Sequence, residues 1–135
     1  MLEELHLTRP IIFFDLEATG VNPQRDRIVE ISVVKIFPDG HHECTTRKLN
    51  PTIPIPAAAT QIHGISDADV ARAPTFAQIA GNLLKYFEDC DLGGYNINGF
   101  DIPMLCEEFK RAGLEFSTSG LYQTNPDSSG SFMVI

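Results

Sequence analysis

Two acidic residues, Asp15 and Glu17, follow directly on the apolar run Ile11-Ile12-Phe13-Phe14. On an extended strand, residues i and i+2 project from the same face, so both carboxylates would stand together where a buried strand leaves the core. Like charges that close repel each other unless a cation lies between them, and a hard divalent ion takes carboxylate oxygens. A strand that had already ended would instead leave both acids in water. The apolar run and the Thr19-Gly20 turn beyond it favour the metal site.

A third acid, Asp101, closes the segment Gly94-Tyr95-Asn96-Ile97-Asn98-Gly99-Phe100-Asp101. Here a strand gives way to a helix, the usual location of sites in open α/β sheets. Just ahead of Ile102-Pro103, Asp101 is equally suited to cap that helix. Spacing alone leaves cap and ligand open. Three carboxylates converging at neighbouring strand ends suit two divalent ions about 4 Å apart, the arrangement that activates a water and stabilises the leaving oxygen of in-line phosphoryl transfer. His63, beside Gly64, either touches a ligand or hydrogen-bonds its own loop, and we read it as positional rather than acid–base. His6, His41 and His42 read as solvated, Glu107 and Glu108 as part of an exposed helix face, and Cys44, Cys90 and Cys106 as small core hydrophobes.

The elements that must position these residues follow from periodicity. Arg9 to Glu17 reads as a core strand, and Ile28 to Phe37, rich in β-branched residues, as a second. Pro38-Asp39-Gly40 turns the chain back into a more exposed third strand over 44–49. Three prolines make 51–56 an extended connection, and Ser66-x-x-Asp69 caps a short helix. Thr75-x-x-Gln78 is a capping box, followed at helical spacing by Phe76, Ile79, Ala80, Leu83, Leu84 and Phe87. Leu92 to Tyr95 is a short buried strand. A last helix runs from about Gly99 to Arg111, with Pro103 tolerated in its first turn and Gly113 as its stop. The order β-β-β-α-β-α predicts an α/β layer sheet with helices packed on it.

Composition sets the outer bounds. The chain has 135 residues, 43% of them hydrophobic and 21% charged, as expected of one soluble globular domain. Ten Lys and Arg against 18 Asp and Glu give a net charge of −8. A basic groove is therefore not a property of the whole chain, and nucleic-acid binding would have to be local and metal-dependent. No apolar run is long enough for a membrane span, and the acidic N-terminus lacks the basic residues of a signal peptide. Three cysteines without a C-x-x-C argue against a disulfide framework and fit a cytoplasmic location. The pattern divides the chain into a domain over 1–116 and a Ser/Gly-rich tail over 117–135 with no amphipathic period, read as poorly ordered.

Taken together, the motifs resemble the DnaQ-like (DEDD) 3′–5′ exonucleases, the proofreading family that includes DNA polymerase III epsilon. Phe14-Asp15-Leu16-Glu17-Ala18-Thr19-Gly20 resembles the first exonuclease motif, and Asn96 to Leu105, with Phe100-Asp101 at its centre, the second. Arg27-Ile28-Val29-Glu30-Ile31 and Ile62-His63-Gly64-Ile65 resemble the intervening strand and loop. The resemblance spans about residues 9 to 116 in the family's order.

It implies a ribonuclease H-like fold with a central mixed sheet. It implies Asp15 and Glu17 as direct ligands of two Mg²⁺ (or Mn²⁺) ions, with Asp101 acting mainly through metal-bound water. Leu16, Ala18, Thr19, His63, Asn96 and Phe100 would hold the terminal nucleotide at a single-stranded 3′ end, and hydrolysis would release a nucleoside 5′-monophosphate. The family's third motif, a His or Tyr followed by a fourth Asp, has no counterpart after Leu105. Tyr122 and Asp127 are the nearest approach, and Asn125-Pro126 interrupts the helix that should carry them. The polypeptide as written is therefore expected to be an incomplete domain with reduced activity. Trimming of RNA, a catalytically degenerate nucleic-acid- or partner-binding domain, and a plain α/β domain whose acids are caps and solvated charges are the competing expectations. A DNA polymerase subunit and a second copy of the chain are the expected protein partners, with no membrane involved.

Overall fold

The computed structural model describes residues 8–95, 97–116 and 132–134. Strands β1 (Ile11–Ala18), β2 (Ile28–Ile36) and β3 (His42–Lys48) form an antiparallel meander. Helices α1 (Ala57–His63), α2 (Asp67–Val70) and α3 (Phe76–Phe87) then carry the chain across to β4 (Asp91–Tyr95), which pairs parallel to β1. A π-turn over Ile97–Asp101 leads into α4 (Ile102–Arg111). The sheet order is β3-β2-β1-β4-β5, where β5 is Phe132–Val134, antiparallel to β4. The mixed sheet with packed helices is the architecture expected from the sequence.

The site depends on how β1 alternates. Ile12, Phe14, Leu16 and Ala18 are buried in the main core, against Phe76, Ala80 and Phe87 of α3 and Met104, Leu105 and Phe109 of α4. Phe109 meets Phe76 edge-on with ring centres 5.0 Å apart. Asp15 and Glu17 consequently share the opposite face of the strand. β1 pairs with β2 along its whole length and with β4 over Ile11–Phe13, so the segment carrying Asp15 and Glu17 is held by β2. The register to β2 shifts between Glu17 and Ala18, and an irregularity of this kind re-aims the side chains beside it.

Three expectations need correction. The stretch after Pro56 is helical: α1 starts at Ala57 and ends on Gly64, whose φ of 78° closes the helix in the left-handed conformation. Glu108 is buried rather than solvated, at 4% exposure. Cys44, read as a small core hydrophobe, is exposed on β3. Phe132–Val134 adds a strand antiparallel to β4. Tyr122, Asp127 and the rest of 117–131 lie outside the described residues. Both capping boxes form: Ser66 with Asp69 at α2, and Thr75 with Gln78 at α3.

Candidate active site

The C-terminal ends of the parallel neighbours β1 and β4 bring the acidic residues together. Asp15 is exposed and Glu17 half-buried on β1, whereas Asp101 is only 5% exposed at the end of the π-turn. Asp101 has helical backbone angles (φ −65°, ψ −46°) and makes no side-chain capping hydrogen bond, so the cap reading of this residue fails. Its carboxyl is pushed up to about 7 by burial first, then by the charges of Asp15 and Glu17. Glu17 is raised as well, by burial, by Asp15 and by Glu30, with His63 acting in the opposite sense. Glu30 stands across from Glu17 in the β1–β2 register and meets Lys48 at 3.4 Å. The charges of Asp15 and Glu17 thus both oppose ionisation of Asp101.

The donor chemistry fits a divalent ion. All of these groups offer carboxylate oxygen, and the charges of Asp15 and Glu17 raise the work of ionising Asp101, which is what a hard cation reverses. Among the described residues, no three His, Cys, Asp or Glu side chains stand close enough to enclose an ion as a set.

Beside the carboxylates lies a groove of about 470 Å³ bordered by Leu16, Glu17, Ala18, Ile62, His63 and Phe100 among others. Its other wall is the loop joining β1 to β2, which is fixed from within. Asp26, buried at 6%, accepts hydrogen bonds from the Thr19 hydroxyl (3.0 Å) and the Asn22 amide (2.9 Å). The Arg27 amide in turn donates to the Thr19 hydroxyl at 3.1 Å. Thr19 therefore borders the groove with its hydroxyl held by Asp26 and the Arg27 amide. Gly20 is required here because a Cβ would sit 2.4 Å from the Asp26 carboxylate.

From α4, Glu108 reaches across to accept from the Ile28 amide at 2.8 Å, and Arg111 bonds both Glu108 (3.0 Å) and the Asp26 carbonyl (2.9 Å). A buried charge paired and hydrogen-bonded in this way is a conditional asset: removing either partner strands the other. Sequence reasoning missed this brace. Its one signal was the position of Glu108, three residues after Leu105 and adjacent to Phe109, within the buried stripe of α4.

His63 joins α1 to the end of β1. The Ile65 amide donates to its Nδ1 at 3.1 Å, so the ring proton is on Nε2, which donates to the Ala18 carbonyl at 3.1 Å. Both ring nitrogens are engaged, and the histidine is positional, as read from the sequence. Leu16 and Ala18 are buried and Phe100 half-buried along the groove, while Asn96 lies outside the described residues. Two residues not singled out beforehand stand out: Val21 and Ile62, 82% and 83% exposed, are the exposed large apolar side chains of the described molecule, and both border this groove. No helix among the described residues is long and apolar enough to cross a membrane.

The chain was compared with known proteins. Its residues 12–123 match the family model RNase_T, described as Exonuclease. It is 39% identical over 98 residues to a DNA polymerase III subunit epsilon-like protein of Rhodobacter capsulatus, covering 70% of this chain and 14% of that protein. It is 35% identical over 113 residues to the DNA polymerase III subunit epsilon of Rickettsia typhi, covering 78% of this chain and 48% of that subunit. It therefore spans half or less of these relatives. In fold it is similar to E. coli Exonuclease I in complex with a dT13 oligonucleotide, with a TM-score of 0.72 at 20% identity over 80% of this chain and 25% of that one. The ribonuclease H-like fold, the order of the motifs and the family match agree: this chain belongs to the DnaQ-like exonuclease family.

Proposed function

We propose that this chain forms the catalytic face of a metal-dependent 3′–5′ exonuclease that removes terminal nucleotides from single-stranded DNA as nucleoside 5′-monophosphates. The observation that carries this reading is the coupled trio Asp15, Glu17 and Asp101 beside an apolar groove of about 470 Å³. One or two divalent ions, Mg²⁺ or Mn²⁺, held by Asp15 and Glu17 with Asp101 through water, supply charge neutralisation and Lewis-acid polarisation of the scissile phosphodiester when bound. The groove does the rest of the work. Phe100, Ile62 and Val21 offer apolar surface to the terminal nucleoside, and the loop braced by Asp26 and Glu108 keeps that surface in place. Positioning of this kind lowers the entropic part of the barrier.

Among the described residues, no histidine with a free ring nitrogen accompanies the trio. His63 is engaged at both nitrogens, and no histidine follows it. General acid–base catalysis contributes typically about 10²–10⁴-fold, so turnover by this polypeptide is slow by about that factor relative to a site equipped with such a group. The same observation supports the second reading, a domain that binds single strands without cleaving them. A cytoplasmic role beside a replicative DNA polymerase follows from the likeness to epsilon subunits, and a second copy of the chain is a further candidate partner.

Strands labelled at the 5′ end, with a free or a blocked 3′ end, test this reading in Mn²⁺ and in EDTA. Stepwise shortening of the unblocked DNA alone, in Mn²⁺ alone, supports it. Internal cuts, or faster loss of the matching RNA strand, would overturn the direction or the substrate.

A further inference from the structure

We propose that Arg25 is a substrate-positioning residue that grips one phosphodiester of the bound strand, on the 5′ side of the nucleotide seated in the groove. The inference rests on the single-strand reading above and adds to it a residue and a minimum substrate: a trinucleotide, whose two phosphodiesters are the scissile one and the one that Arg25 meets.

Charge points to Arg25. The molecule carries a net charge of −8, and the side chains around the groove are otherwise apolar, neutral or acidic, Arg25 being its one permanent cation among the described residues. His63 does not add a free second, because both its ring nitrogens are held, Nε2 at the Ala18 carbonyl and Nδ1 at the Ile65 amide. Asp26 offers little competition, since its carboxylate is taken up by Thr19 and Asn22. Its approach to the Arg25 guanidinium is only 3.9 Å, and the Arg25 side chain is 76% exposed. Arg25 is therefore anchored at its backbone by the braced loop, while its exposed tip is held only loosely by Asp26.

Geometry assigns the ligand. Val21 and Ile62, both more than four-fifths exposed, border the same groove as Arg25. An apolar wall beside one exposed, weakly paired guanidinium matches a base with the phosphodiester next to it, since bases stack on sequence-tolerant apolar surface while phosphates take charge. A mononucleotide's own phosphate would instead face the carboxylate trio. The phosphate that Arg25 meets is thus a different one, further along the strand.

The test is binding rather than cleavage, using a fluorescent oligothymidylate whose 3′-terminal linkages are phosphorothioates, in Mg²⁺ over a range of salt. Arg25→Ala is expected to weaken binding about 5- to 10-fold at 0.1 M salt and to reduce the slope of log K against log salt by about 0.7, the value for one phosphate contact on a single strand. Arg25→Lys should restore the slope. A series of strands with one neutral methylphosphonate moved along the chain should show a single linkage whose neutralisation has the same effect as Arg25→Ala and adds nothing to it. An unchanged affinity and slope in Arg25→Ala, in a chain that otherwise binds the strand, overturns the assignment and leaves the exonuclease reading standing. Losses spread evenly over all linkages also overturn it. No binding by the unaltered chain overturns both. Equal melting temperatures for the variants and the unaltered chain show that any loss is not one of folding.

Discussion

Replacing Asp101 with asparagine removes a charge that the fold holds at a cost. The Asp101 carboxyl sits at about 7 instead of 3.8, through burial and then the charges of Asp15 and Glu17. A raised carboxyl favours the protonated form in the folded state, so its contribution is complete below pH 4 and is lost as pH rises through 7. At full strength such a shift corresponds to about 4 kcal/mol, and solvent screening at the site entrance reduces a working figure to about 2 kcal/mol. Asparagine mimics the protonated carboxyl at every pH. In EDTA at pH 8, Asp101→Asn should therefore melt roughly 8 °C above the unaltered protein, given about 4 °C per kcal/mol for a domain of this size. At pH 4.5 the two should nearly coincide. Saturating Mn²⁺ should then reverse the order, raising the unaltered protein more than the variant, because an ion that binds only the folded state stabilises it. Differential scanning calorimetry at the two pH values, with and without Mn²⁺, reads all four arms. A variant that melts lower by the same amount at both pH values would refute the reasoning, since Asp101 would then be a hydrogen-bonded anchor rather than a strained charge.

Other consequences follow from the brace and the clasp. Gly20→Ala drives a methyl group into the Asp26 carboxylate and should cost about 1–3 kcal/mol in urea unfolding by displacing it from Thr19 and Asn22. Glu108→Ala leaves the Ile28 amide and Arg111 without their partner and should cost about 3 kcal/mol or more by the same assay, with Glu108→Gln recovering part of it. His63→Ala releases α1 from the Ala18 carbonyl; oligonucleotide affinity should fall several-fold while the limbs of the pH–rate profile keep their positions, because the ring transfers no proton. A lost limb would return His63 to the acid–base role.

The sequence made some of this legible and hid the rest, for identifiable reasons. β1, β2 and α3 were readable because each carries a long apolar pattern with a cap or turn at its end, and Asp15 and Glu17 were readable because period two places them on one face. Asp101 was ambiguous, since cap and ligand use the same residue type at the same place; only its helical backbone and missing capping bond separate them. α1 was obscured by the prolines ahead of it and by its short length, seven residues from Ala57 to His63. Glu108 was misplaced because a charged residue on a helix is assumed to face water, and its partners, Ile28 and Arg111, lie on an element 80 residues away and one turn along. Val21 and Arg25 carry no pattern at all, and Ile62 entered only as the neighbour of His63 in the family-like loop. Their meaning arises only when the loop after β1 and α1 are brought to the two sides of one groove.

The account turns on whether the carboxylates of β1 carry metal-dependent hydrolysis at a 3′ end. The direct measurement is release of labelled mononucleotide from a 3′-labelled single strand in Mn²⁺, for the unaltered chain and for Asp15→Asn. The account predicts slow release that EDTA stops and that Asp15→Asn lowers by at least two orders of magnitude while the fold still melts cooperatively. Equal release by Asp15→Asn, or release that persists in EDTA, would contradict it.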